Sequence, residues 1–360
     1  MDQLDDMATG AAVLGTGGGG DPYIGKLLAR EALRDRPPLT MLSFDELDDD
    51  DFVILGGAGG APTVGVEKLP SGHELVHAFR TLETHFGKKF TAVMSPEAGG
   101  INSMIPISLA AAVGLPLVDG DIMGRAFPEI QMAIPTLWGI TATPMAMADE
   151  KGNAIILDTI SNRWTEVMAR SLIVQMGAVT HATNFPMTGA QVKQAAISGT
   201  MTLIGQIGRA IREAREQHRD PIAAATAITG GHELWRGKIA DVDRRTVGGF
   251  ARGAARIVGT GAYADHTLQL DFQNEFLAAR VGDEMLATTP DLITVLDAET
   301  GEPITTENLR YGFRVAVLGI PCDPRWRSEG GIALAGPRYF GYDVPYIPVE
   351  ERLAASPLTR

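Results

Sequence analysis

Four ionisable residues crowd one apolar stretch, "LPLVDGDIMGRAFPEIQM": Asp119, Asp121, Arg125 and Glu129. "LPLVDGD" reads as a buried strand with both aspartates at its C-terminal end, where α/β sheets collect their ligands. Two carboxylates and a guanidinium in one place supply a general base, a general acid and an anion clamp. The plainer alternative is that the aspartates cap a helix while Arg125 and Glu129, four residues apart, merely pair. The functional reading is preferred, with Glu97 in "PEAGGINSMIP" as a further carboxylate. One or two of these carboxylates would also suit a divalent metal, so the cofactor stays open. Asn102 and Ser103 are expected to cap a helix that ends near Gly114.

"LGTGGGGDPYIGKLLAREAL" (14–33) overlays two nucleotide signatures. Gly15, Gly17 and Gly20 fit G-x-G-x-x-G, but the preceding "DDMATGAAVLG" reads as a helix rather than the required strand. Gly20, Gly25 and Lys26 fit most of a P-loop, yet Leu27 stands where the magnesium-binding Ser or Thr belongs, and Pro22 lacks an N–H. What remains is a helix start, with Asp21 as N-cap and Pro22 at the first helical position. Gly17, Gly18 and Gly19 let backbone approach either a ligand or a neighbouring element closely.

Other motifs are weaker. "HELVH" (73–77) matches a zinc-protease helix, with His73, His77 and Glu74, but a solvated helix face produces it as readily. In "DVDRRTVGGFARG", Arg244 and Arg245 precede two glycines and could hold a carboxylate. Cys322 has no histidine near it in sequence and reads as a packed thiol. His181, His232 and His266 are isolated and read as structural. "DELDDDDF" (45–52) reads as a solvated connection.

The elements that must position these residues divide the chain in two. "LTMLSF" (39–44), "FVILGG" (52–57), "FTAVMS" (90–95), "LPLVDG" (115–120) and "NAIILD" (153–158) read as strands. "HELVHAFRTLETHF" (73–86) reads as a helix between them, which argues for an α/β layer over residues 1–165. Helical periodicity follows over 162–177 and 200–218, with Leu203, Ile207, Ile211 and Ala214 on one face. A short helix is expected to open at Pro186. From about residue 234, short alternating runs punctuated by Gly, Pro and Asp predict a β-rich, α+β domain. Residues 166–360 are therefore taken as a helical connection plus that domain.

The 360 residues are 45% hydrophobic, enough for sizeable cores, and carry a net charge of −13. No basic patch of useful length supports nucleic-acid binding. No apolar run approaches the ~20 residues of a membrane span. One cysteine excludes an internal disulfide, and the acidic "MDQLDDMATG" start lacks the basic region of a signal peptide. The expectation is a cytoplasmic homo-oligomer that acts on a small molecule, without nucleic acid or membrane.

Six stretches together resemble one family: "GAAVLGTGGGGDPYIG", "EAGGINSMIP", "VDGDIMGRAFPE", "PMTGAQVK", "DVDRRTVGGFARG" and "GPRYFGYD". They are similar to the DUF917 family, associated with S-methyl thiohydantoin desulfurases and, in some members, with hydantoinase/oxoprolinase-type domains. The resemblance spans roughly residues 3 to 350 and implies an N-terminal α/β part and a C-terminal β-rich part. It implies hydrolysis at C2 of a five-membered cyclic ureide, with water attacking and a thiol leaving. Asp121 is then assigned as base, with Asp119 or Glu97 as acid or metal ligand and Glu129 beside them. Arg125 and Arg245 would hold anionic groups, with Asn102 and Gly17–Gly19 against the ring. The alternative is a non-catalytic accessory subunit with a hydantoinase-type partner.

Overall fold

The structure, a computed structural model, describes residues 3–60, 64, 68, 70–247 and 250–356. Its first seven-stranded sheet contains β1 (Met41–Leu42), β2 (Phe52–Gly60), β3 (Ala92–Met94) and β4 (Leu117–Val118). To these it adds β6 (Met145–Ala148), β7 (Ala154–Leu157) and β8 (Val179–Thr188). The order is β1-β4-β3-β2-β8-β6-β7. Strands β1 to β4 are parallel, while β8, β6 and β7 join antiparallel. A two-stranded ribbon pairs β5 (Gly120–Asp121) with β9 (Ile197–Ser198).

The helices around this sheet begin where the sequence provides caps. In α2 (Pro22–Leu33), Asp21 accepts from the Tyr23 amide at 2.8 Å. Helix α3 (His73–Phe86) buries Leu75, Phe79 and Leu82 and ends at left-handed Gly87, a position where glycine avoids a steric penalty. Helix α4 is Gly100–Val113, and α5 is Asn162–Gln175, capped by Ser161. Helix α1 (Gln3–Leu14) crosses α6 (Thr200–Glu216) at backbone contact. A Cβ on Gly10 would stand 1.8 Å from the Ile204 carbonyl oxygen, and one on Gly208 equally close to that of Asp6. The preceding helix expected before the glycine run is therefore α1, and its small residues are what let it dock.

The second sheet is antiparallel. Its strands are β10 (His232–Val247), β11 (Phe250–Gly259), β12 (Thr267–Gln273), β13 (Glu275–Val281), β14 (Glu284–Thr288), β15 (Leu292–Asp297) and β16 (Arg314–Ile320). They run in the order β14-β13-β12-β11-β10-β16-β15 around a core that includes Trp235, Ile257 and Phe276. The architecture is thus the expected α/β part followed by a strand-rich part.

Two expectations need correcting. Pro186 does not open a helix. It lies inside β8, at a bulge where no ladder N–H is required, and the helix starts at Gly189. Thr188 caps it, exchanging hydrogen bonds with Gln191. "LTMLSF" supplies only a two-residue strand before a 3-10 turn at Phe44–Glu46. Strands β6 and β8, unmarked in the sequence reading, complete the sheet.

Candidate active site

A cavity of about 200 Å³ opens between the two sheets. Its floor is one face of the first sheet. Strand alternation and the β2–β8–β6 register place Gly57, Gly59, Thr180, Ala182, Asn184, Met145 and Met147 on that face. Glycines at 57 and 59 keep the floor low. A Cβ on Gly57 would come within 3.0 Å of Pro96 and 3.1 Å of Asn102 Oδ1. Ile173 and Arg170 of α5 line another wall, and Glu97, Glu129 and Glu275 are among the residues lining the rest.

Glu97 is held by an amide that substitutes for a strand. Strand β3 ends beside Leu55, so the next stretch of β2 has a free edge. Asn102 fills it: Oδ1 accepts from the Ala58 amide at 2.7 Å and Nδ2 donates to the Ala58 carbonyl at 3.1 Å. Nδ2 also donates to Glu97 Oε1 at 2.7 Å. Asn102 therefore does not cap α4. Gly99 occupies the N-cap position, and Ser103 Oγ accepts from its amide at 2.7 Å.

Burial pushes the Glu97 carboxyl up to about 7, against the pull of Asn102 and the Phe127 amide. Glu275 comes from the second sheet, just after Asn274, a non-glycine residue in the left-handed region (φ 57°). It is 2% exposed, and its Oε2 has no hydrogen-bond partner among the described residues. Burial, reinforced by the nearby Glu97 charge, raises its pKa well above the ordinary carboxylate range, and Arg125 offsets this only in part. Both carboxyls are thus pushed toward their protonated forms, and the two titrate as a unit.

The glycine loop seats this junction. Gly17 lies against the Phe276 ring and Gly18 against the Glu275 carboxylate, where a Cβ would stand 2.4 Å and 2.1 Å away. The Gly17 carbonyl accepts from Thr306, and the Phe276 amide donates to the Thr16 carbonyl at 2.7 Å. Gly19 and Gly20 line the cavity directly, and their carbonyls accept from the Ile101 amide. The run thus serves close backbone packing around the cavity mouth.

The other expected residues scatter. Asp121 is fully buried behind the wall formed by Ile122 and Met123, and burial raises its pKa to about 6. Its Oδ2 accepts from the Met123 and Gly124 amides at 2.7 Å, whereas Oδ1 has no partner among the described residues. Asp119 turns away and caps α6, accepting from Thr202 N at 3.0 Å and Oγ1 at 2.5 Å. Arg125 is not free to clamp an anion. It is fully buried and donates to the Pro290 and Asp291 carbonyls at 2.9 and 2.8 Å and to Thr16 at 3.1 Å, tying the two sheets together. Glu129 reaches the cavity, but Tyr339 donates to its Oε2 at 2.6 Å. Arg245 is 77% exposed, pairs with Asp243 and does not line the cavity, while Arg244 donates to the Thr306 and Leu309 carbonyls.

His73 and His77 are exposed while Glu74 is buried, so the three do not share a face. Among the described residues no group of three or more His, Cys, Asp or Glu is gathered as for a metal. Burial pushes the Cys322 thiol up to about 12. His181, read as structural, is buried with Glu74 nearby, and burial lowers its pKa.

Sequence reasoning missed Glu275 and Asn184. The signal for the first is "FQNEF", three polar residues in a row interrupting an apolar strand pattern. The second sits in "THATNFPM", where alternation breaks before a proline.

Two family models together span residues 2–349: the S-Me-THD-like N-terminal domain over residues 2–159 and the S-Me-THD-like C-terminal domain over 160–349. The chain belongs to the S-Me-THD-like family. This agrees with the resemblance of its motifs. A crystal structure of a Chromobacterium violaceum protein shares the fold, at a TM-score of 0.79 and 23% identity, covering 96% of this chain and 98% of that one. No curated protein matches the chain. Among the described residues, no helix is long and apolar enough to cross a membrane.

Proposed function

We propose that the chain hydrolyses a five-membered cyclic ureide of the S-methyl thiohydantoin type at ring C2. The observation that carries this is the buried pair Glu97 and Glu275, two carboxyls of raised pKa in one largely apolar cavity, in a chain of this family. Environments that hold one carboxyl neutral beside another that ionises near neutrality suit acid–base work.

In this mechanism ionised Glu97 takes a proton from water as its oxygen bonds to C2. Protonated Glu275 gives its proton to ring N1. The tetrahedral carbon then forms C=O, its hydroxyl proton returns to Glu275, and the C–S bond breaks. The proton on Glu97 goes to the departing sulfur, so methanethiol and a hydantoin leave with both carboxyls restored. The base role thus moves from Asp121 to Glu97, because Glu97 borders the cavity and Asp121 stands behind its wall.

Purified protein should release equal amounts of methanethiol and hydantoin from an S-methyl thiohydantoin, followed by a thiol reagent and by chromatography. No release above the uncatalysed rate across pH 6 to 9 would sink the proposal.

A further inference from the structure

The cavity floor also carries Asn184, whose side-chain amide makes no hydrogen bond to any described residue although it lines the cavity. Four residues away on the same strand face, Thr180 is 1% exposed, and its Oγ1 also has no partner among the described residues. Buried polar groups are ordinarily satisfied, so the unpartnered Thr180 hydroxyl, with the half-buried Asn184 amide beside it on the same cavity face, calls for a polar ligand.

The backbone aims Asn184 deliberately. Leu55 pairs with Asn184 and Val53 with Met187, so β8 carries one extra residue between these pairs. Phe185 takes up that residue at φ 46°, a conformation that bulky side chains avoid. Bulges with such strain re-aim side chains beside functional sites. The bulge also admits Pro186 without a missing ladder bond.

We propose that Asn184, with Thr180 beside it, is the specificity-determining residue that reads the amide edge of the ring remote from C2. This rests on the reading of the site as a cyclic-ureide hydrolase. A primary amide offers one donor and one acceptor side by side. A five-membered ring holds its amide cis, so N3–H and C4=O also lie side by side and match that pair with two hydrogen bonds. Met145 and Met147 line the same floor and give this end of the ring an apolar surround. Recognition of this edge leaves C2 directed toward Glu97 and Glu275.

Binding tests this independently of turnover. Calorimetry would compare hydantoin with 3-methylhydantoin on wild type, Asn184→Leu and Asn184→Ala, with thermal unfolding confirming that each variant folds. Wild type should favour hydantoin by about tenfold, the scale of lost hydrogen bonds. Both variants should lose most of that preference. Thr180→Val should weaken hydantoin binding less and leave folding intact. A preference that survives in the Asn184 variants overturns the inference, as does absence of hydantoin binding to wild type. Methanethiol release by wild type, measured in parallel, separates this failure from failure of the hydrolase reading.

Discussion

Two segments bring carboxylates into the interior, and they differ in what those carboxylates face. In residues 119–125, Asp121 organises its own turn through two backbone amides and Arg125 is engaged by backbone carbonyls. At the junction of residues 97–102 with 274–275, Glu97 is steadied by one side-chain amide and Glu275 Oε2 has no partner among the described residues. The first arrangement fixes the chain, whereas the second leaves acid–base capacity beside open space. Clustering of charges in sequence does not separate the two, because only the fold decides which carboxyl borders a cavity.

Breaking the first segment should cost stability above all. Arg125→Ala strips the donor from five acceptors (Ala126, Pro290, Asp291 and Phe276 carbonyls and the Thr16 hydroxyl) and leaves a void, and should lower unfolding free energy by about 3–5 kcal/mol. Chemical denaturation would show it, and a loss under 1 kcal/mol would contradict the bridging role.

The second segment should show the opposite sign. Glu97 has a folded pKa of about 7 against an ordinary 4.5, so the folded state binds more protons than the unfolded state between those values. Its contribution is intact below about pH 4.5 and is lost as pH rises through about 7. Glu97→Gln removes this loss, and relative to wild type should gain up to about 3 kcal/mol between pH 5 and pH 8. A stability difference that does not change with pH would show that Glu97 titrates normally.

Smaller effects sharpen the boundary. Asp119→Asn should cost about 1 kcal/mol by weakening the cap on α6, with turnover unchanged. A large activity loss in a folded protein would return Asp119 to the site. Arg245→Ala should shift stability by no more than about 0.5 kcal/mol and leave KM unchanged, as for an exposed ion pair.

Much of the fold was legible because local signals and tertiary demands agree. The Asp21–Pro22 helix start, α3 and the strand-rich second half all follow from caps and periodicity. Strands β6 and β8 were not marked, since "MAMA" and "VTHATNFPMT" lack clean alternation and one contains proline. Of the expected site residues, Glu97, Glu129, Asn102 and Gly19 border the cavity. Glu275 arrives from a strand about 180 residues away, and Asn184 depends on a bulge. Neither pairing of distant elements nor a one-residue bulge leaves a period to read.

The most direct measurement compares methanethiol release by Glu97→Gln and Asp121→Asn, both confirmed folded. The account predicts that Glu97→Gln loses about 10³-fold in kcat, the scale of a lost general base, while Asp121→Asn retains at least about a tenth of wild-type turnover. Retained turnover in Glu97→Gln together with its loss in folded Asp121→Asn would contradict the account and place the base behind the wall, at Asp121.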